Sequence, residues 1–172
     1  MKLYRNKIPV IAKDTIAQLC EQGDIEVEPE NREEAEKDII AILEEFLRRD
    51  FELRNKIRDS MSNRNIPYDQ YGRVRKRMSE EMNHPGGEDV AKFLARQINE
   101  NLMISKFIEE VFEAEDVLYR KILRLLLSHS VDEREIMDEA LSRIKNVAEG
   151  TVDYEIALSN AVKEVKKRRG LL

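Results

Sequence analysis

"YGRVRKRMSEEMNHPGGEDVAKF", residues 71–93, decides how the chain is read. Tyr71, Val74, Met78 and Met82 recur at helical spacing and predict the inner face of one helix. The pattern breaks at His84-Pro85-Gly86-Gly87. Pro85 disfavours helical backbone at His84, and two glycines let the chain turn. Asp89 then stands where it can cap a new helix, with Val90, Phe93, Leu94 and Ile98 on its inner side. The stretch therefore reads as helix, joint, helix. It divides the chain into a unit over 1–84, a joint over 85–88 and a unit over 89–172. A phosphate-binding glycine loop is the rival reading of the joint. Such loops need more glycines at fixed spacing between a strand and a helix, and no strand is expected here.

Composition agrees with a helical protein. Of 172 residues, 41% are hydrophobic and 38% charged, against roughly 25% charged in an average domain. Glycine and proline are scarce, tryptophan is absent, and no alternating β-branched runs occur. The reading is all-α, with charged outer faces. No apolar run approaches the ~20 residues of a membrane span, and "MKLYRNKIPVIAKD" lacks the pattern of a signal peptide. Cys20 is the only cysteine, so no internal disulfide can form. It reads as a small buried hydrophobe in a reducing compartment, and a cytoplasmic location is expected.

Apolar spacing predicts the remaining elements. A first helix starts at Pro9 and stops before Gly23, with Ala12, Ile16, Leu19 and Cys20 inside. Ile25 and Val27 mark a short extended link rather than a sheet. A long helix covers 32–61 with a broad stripe of Ile39, Leu43, Phe46, Leu53 and Ile57, flanked by Ile40, Leu47 and Phe51. Asp69 is placed to cap the helix of the basic run. "NENLMIS" reads as an interruption, followed by a long helix over 105–127 carrying Ile108, Val111, Phe112, Leu118, Ile122, Leu125 and Leu126. Ser130 and Glu133 have capping-box spacing. The next helix carries Ile136, Ala140, Ile144 and Val147 and stops at Gly150. A last helix starts near Asp153, carries Tyr154, Leu158, Ala161, Val162 and Val165, and ends at Gly170.

The two halves look like one design used twice. A shift of 79 places "IAKDTIAQL" (11–19) on "VAKFLARQI" (90–98), and Ile57 and Asp59 on Ile136 and Asp138. The fold expected is two similar three- to four-helix units from an internal duplication, packed as a helical bundle. They would dock through Ile39, Leu43, Phe46, Leu118, Ile122 and Leu125.

Candidate chemistry is sparse. Arg73, Arg75, Lys76 and Arg77 put four cations in five positions, and Lys166, Lys167, Arg168 and Arg169 close the last helix. Both runs could contact phosphate. Both also fit a solvated helix, through i,i+4 pairs from Lys76 to Glu80 and Arg77 to Glu81, or through complementing the helix dipole. The net charge of −5 divides as 16 basic and 18 acidic residues over 1–84 and 14 and 17 beyond, so neither half is a basic domain. Aromatics for stacking bases are lacking, because Tyr71 falls at an expected core position. Glu81 and His84 have the Glu-x-x-His spacing of di-iron bundles, but no second such element exists, and no metal or other cofactor is expected. Glu115 falls close to the apolar stripe, where a partly buried carboxylate could transfer protons. No Ser-His or Cys-His pairing and no small-molecule motif emerges.

Three segments carry a family resemblance: "MKLYRNKIPVIAKDTI" (1–16), "FIEEVFEAEDVLYRKI" (107–122) and "EGTVDYEIALSNAVKEVKKRRGL" (149–171). They resemble the bacterial domain-of-unknown-function family 507 over almost the whole chain. The resemblance implies a bacterial, cytoplasmic, all-helical protein. It brings no activity, cofactor or partner, and no functional residue to transfer. The leading expectation is a non-enzymatic protein-interaction or scaffolding module with a protein partner or a second copy. The alternatives are a nucleic-acid-associated regulator using the basic runs and an enzyme using Glu115.

Overall fold

The computed structural model describes residues 1–144 and 149–172. In chain order the elements are α1 (Ile8–Glu21), β1 (Ile25–Glu26), α2 (Arg32–Asn63), α3 (Tyr71–Glu81), α4 (Asp89–Ile104), β2 (Glu110–Val111), α5 (Glu115–Ser128), α6 (Glu133–Arg143) and α7 (Val152–Arg168). Among the described residues no helix is long and apolar enough to cross a membrane.

α1, the first half of α2, α4 and α5 form the main core. α1 lies against α2 and α4 against α5, and the pairs meet through α2–α4 and α1–α5 contacts. Ile11, Ile16, Leu19, Ile39, Leu43, Leu94, Ile98, Leu118, Ile122 and Leu126 are buried together. The expected docking residues Ile39, Leu43, Leu118 and Ile122 are fully buried, and Phe46 and Leu125 nearly so. One core thus draws on both sides of the Pro85-Gly86-Gly87 joint.

α2 explains the rest of the layout. Its 32 residues make a rod of about 48 Å at 1.5 Å per residue, far longer than the 14-residue α1. Ala35, Ile39, Leu43 and Phe46 serve the main core. The apolar stripe continues past it as Leu53, Ile57 and Met61, which must be covered by something else. α3 does this with Val74, Tyr71, Met78 and Met82. A third cluster joins α6 and α7 through Ile136, Ala140, Ala161 and Val165, with Tyr4 and Leu171.

Several expectations need correction. Residues 105–114 do not extend α5. Val111 and Glu110 pair antiparallel with Ile25 and Glu26 in a two-stranded sheet. The Phe112 N–H donates to the Asp24 carbonyl at 2.9 Å, and Ser105 Oγ donates to Asp38 at 2.7 Å. These long-range partners replace the i−4 bonds a helix would use, and Phe112 stands exposed. The "NENLMIS" segment is helical almost throughout, with α4 ending at Ile104. Asp132, not Ser130, caps α6 by accepting from the Arg134 N–H. Neither Asp69 nor Asp89 caps its helix: the residues before α3 and α4 are Gln70 and Glu88, without a side-chain cap. α6 ends at Arg143, well short of Gly150, and Val147 lies outside the described residues. α7 starts at Val152, capped by Thr151.

The ungapped shift of 79 fits α1 and α4 but fails beyond them. Residues 32–63 are one helix, whereas 111–142 hold the end of β2, α5, a turn and most of α6. The arrangement does not establish an internal duplication.

Candidate functional site

The second half of α2 and the whole of α3 form a lobe around the cluster of Leu53, Ile57, Met61 and Val74. Residues 48–81 carry ten basic and six acidic side chains, a local charge of +4 in a chain of −5. The lobe is a basic projection from an acidic protein.

Its inner anchor is Asp50, a nearly buried carboxylate on α2. It accepts from Arg54 Nε at 2.9 Å, Arg75 at 3.4 Å and His84 Nε2 at 3.3 Å. Burial works to raise its pKa, but Arg54, Arg75 and His84 outweigh that and hold the carboxyl below its usual range. His84 reaches Asp50 through the end of α3. Asn83 takes a left-handed conformation at φ +48°, and the His84 N–H closes back on the Ser79 carbonyl at 2.9 Å. The His84 ring stacks on Phe46 at 4.7 Å, so the joint is pinned against the main core.

Burial pushes the His84 pKa down, Asp50 partly opposes it, and Arg49 and Arg75 add to the depression. On acidification the unfolded chain therefore takes up this proton first. The contribution of neutral His84 is complete above its unfolded pKa of about 6.5 and declines as pH falls toward the folded value. The unfolding free energy measured by urea denaturation is expected to drop between pH 7.5 and pH 5.5, by at most about 1.4 kcal/mol per pH unit from this group. His84→Gln should flatten the drop. A His84→Gln protein with an unchanged drop would refute this assignment.

The expected basic residues are thus separated by role. Arg75 is an internal strut to Asp50. Arg77 pairs with Glu81 at 3.5 Å on the surface, as its spacing predicts, while Lys76 does not pair with Glu80. Among the described residues Arg73 and Lys76 carry no ion pair, nor do Lys56 and Arg64 on α2 and just beyond it. Lys76 and Arg75 border an open groove of about 760 Å³. The C-terminal run is different. Lys166 pairs with Glu133 at 3.3 Å, Arg168 with Glu139, and Arg169 with Glu139 at 2.8 Å. These cations hold α7 to α6, and Lys167 makes no ion pair among the described residues.

Two features escaped the sequence reading. Tyr71 packs against the lobe's cluster as its spacing predicts, but it is only half-buried, and its ring also stacks on the 81%-exposed Tyr68 at 5.6 Å and 26°. The pair borders a groove of about 660 Å³ with Arg58, Met61, Ser62, Asn65 and Ile66. Exposed apolar side chains also recur on the outside of α6 and α7, as Met137 and Leu141 and as Val152 and Ile156.

The remaining candidates are dispersed. Glu115, expected near the apolar stripe, is exposed in the first turn of α5, and Asn99 bonds its carbonyl rather than its carboxylate. Burial pushes the Cys20 thiol up, away from the reactive thiolate. Glu81 pairs with Arg77 while His84 turns to Asp50. No three His, Cys, Asp or Glu side chains gather as a metal site among the described residues. The sequence model of the family described as "Protein of unknown function (DUF507)" matches residues 1–171. No curated protein matches the chain.

Proposed function

This chain belongs to the DUF507 family, and from that premise we propose that it is a non-enzymatic interaction module that binds a protein partner through α6 and α7. The observation that carries the reading is the pair of outward apolar rows. Met137 and Leu141 are 41% and 40% exposed, and Val152 and Ile156 are 72% and 55% exposed. Each pair has i,i+4 spacing, so each forms a ridge on its helix. The inward faces of the same helices supply a separate small core. Covering such side chains gains about 25 cal/mol per Å² of apolar surface, and contiguous exposed apolar surface is a common mark of an interface.

Charge narrows the partner. Among the described residues Asp138, Asp153 and Glu155 are exposed near these rows and outnumber Arg134 and Arg143, of which Arg143 is paired to Glu139. A second copy docked through the same patch would set acid against acid. The favoured partner presents an apolar ridge with a basic rim.

The test is native affinity purification followed by rebinding of the purified partner. A defined protein should rebind the wild-type chain, and Leu141→Glu/Ile156→Glu should weaken it by at least about tenfold, or ~1.4 kcal/mol. Equal rebinding by the double variant, no recovered partner, or a homodimer that the double variant dissolves in light scattering would each overturn the proposal. Circular dichroism of the double variant guards against a folding defect.

A further inference from the structure

We propose that the α2–α3 lobe binds single-stranded nucleic acid, with bases stacking on Tyr68 and Tyr71 and phosphates held by Lys56, Arg64, Arg73 and Lys76. The first observation is the tyrosine pair. A tyrosine that is 81% exposed contributes almost nothing to the core. Its near-parallel stacking on Tyr71 presents a flat, preordered π-surface to solvent. The adjoining groove has an apolar floor of Met61 and Ile66 and polar Ser62 and Asn65 at its edge. That chemistry suits a base, which needs a stacking face and hydrogen-bonding partners at its rim.

The second observation is independent and electrostatic. Of the two basic runs, only the lobe has several cations to spare. Glu133, Glu135 and Glu139 occupy Lys166, Arg168 and Arg169. Lys56, Arg64, Arg73 and Lys76 are exposed and make no ion pair among the described residues. Arg54 and Arg75 are spent on Asp50 and Arg77 on Glu81; with these acids counted, residues 48–81 keep a charge of +4, which an approaching strand feels within a Debye length of about 10 Å at 0.1 M salt.

The strandedness follows from the stacking. In a duplex the bases already stack on one another, and exposing one costs a few kcal/mol. A single strand offers its bases at far lower cost, and base–aromatic stacking returns about 1–3 kcal/mol per base. The lobe uses helices other than α6 and α7, so this proposal and the protein-docking proposal can fail separately.

The experiment is fluorescence anisotropy with the full chain and a labelled oligo-uridine or oligo-thymidine of about 12 nucleotides. Neutralising about four phosphates on a single strand predicts a log–log salt slope of about −3, so affinity should fall about 50-fold between 50 and 200 mM salt. Tyr68→Ala should weaken binding about tenfold. Arg73→Glu/Lys76→Glu should weaken it further and flatten the salt slope. Lys167→Glu, on the C-terminal run, should change little. Tyr68, Arg73 and Lys76 are all exposed, so the variants should fold, which circular dichroism checks. The proposal is overturned by no binding at 50 mM salt, by Tyr68→Ala binding as well as wild type, by a duplex competing as strongly as the single strand, or by an equally charged acidic peptide doing so.

Discussion

Leu43→Ala is expected to lower the unfolding free energy by about 3–5 kcal/mol, a large part of what a domain of this size possesses. Leu43 is fully buried in the shared cluster, together with Ile39 on its own helix and residues of α1, α4 and α5. Truncation loses the transfer free energy of the removed carbons and leaves a cavity walled by four rigid helices. Phe51 is the internal comparison. It lies on the same helix, its spacing places it beside the same stripe, and it is 63% exposed. Phe51→Ala should cost less than about 0.5 kcal/mol. Urea denaturation measures both, with an unchanged slope for Leu43→Ala showing that stability and not compactness was altered. A Leu43→Ala cost below about 1 kcal/mol would mean that the two sides of the joint do not share one core.

The second large effect is expected from Asp50→Ala. The substitution leaves the buried His84 Nε2–H without its acceptor and Arg75 without its counter-charge. Removing one partner of a buried polar cluster exposes the desolvation cost of the groups that remain. The estimate is about 2–3 kcal/mol, below the figure for fully buried pairs because Arg75 and Arg54 are partly solvated, at 34% and 56% side-chain exposure. Arg54→Ala removes only a solvent-facing member and should cost about 0–1 kcal/mol. Loss should also be regional. Hydrogen exchange in α3 should accelerate in Asp50→Ala while the α1, α4 and α5 amides stay protected. Equal costs for Asp50→Ala and Arg54→Ala, or uniform exchange across the chain, would remove Asp50 from its role as the anchor of the lobe.

Periodicity was sufficient for most of the architecture. The Ile39–Leu43–Phe46 stripe, the spacing of Leu118, Ile122 and Leu126, and the stops at Gly23 and Gly170 are local signals, and each helix follows from its own residues. The segment from Ser105 to Ala114 shows the limit. Ile108, Val111 and Phe112 have acceptable helical spacing, but the hydrogen bonds that shape them end on Glu26 and Asp24, more than eighty residues away. No local reading could weigh those partners against an i−4 carbonyl. Helix starts failed for a related reason. Ser130 and Glu133 have capping-box spacing, yet Glu133 is claimed by Tyr4, Lys2 and Lys166, and Asp132 caps instead.

The basic lobe was partly legible. Its charge is visible in the sequence once residues 48–81 are counted by themselves. Counting by halves hid it, because acidic residues from Glu21 to Glu45 dilute the total. The spacing of Tyr71 with Val74 and Met78 did mark its packing on the cluster, but its second contact, with the exposed Tyr68, was not legible. Its stacking on Tyr68 depends on how the turn after α2 presents both rings.

What the sequence by itself determined is the helical class, the apolar stripes and the break at His84-Pro85-Gly86-Gly87, because these depend on contacts within a few residues. What only the tertiary structure decided is which cations are free and which aromatics face solvent. Arg75 and Arg73 stand two positions apart on one helix, and one is bound to a carboxylate 25 residues back while the other faces water. A charge is available or spent according to its neighbours in space, and those neighbours are set by packing at long range.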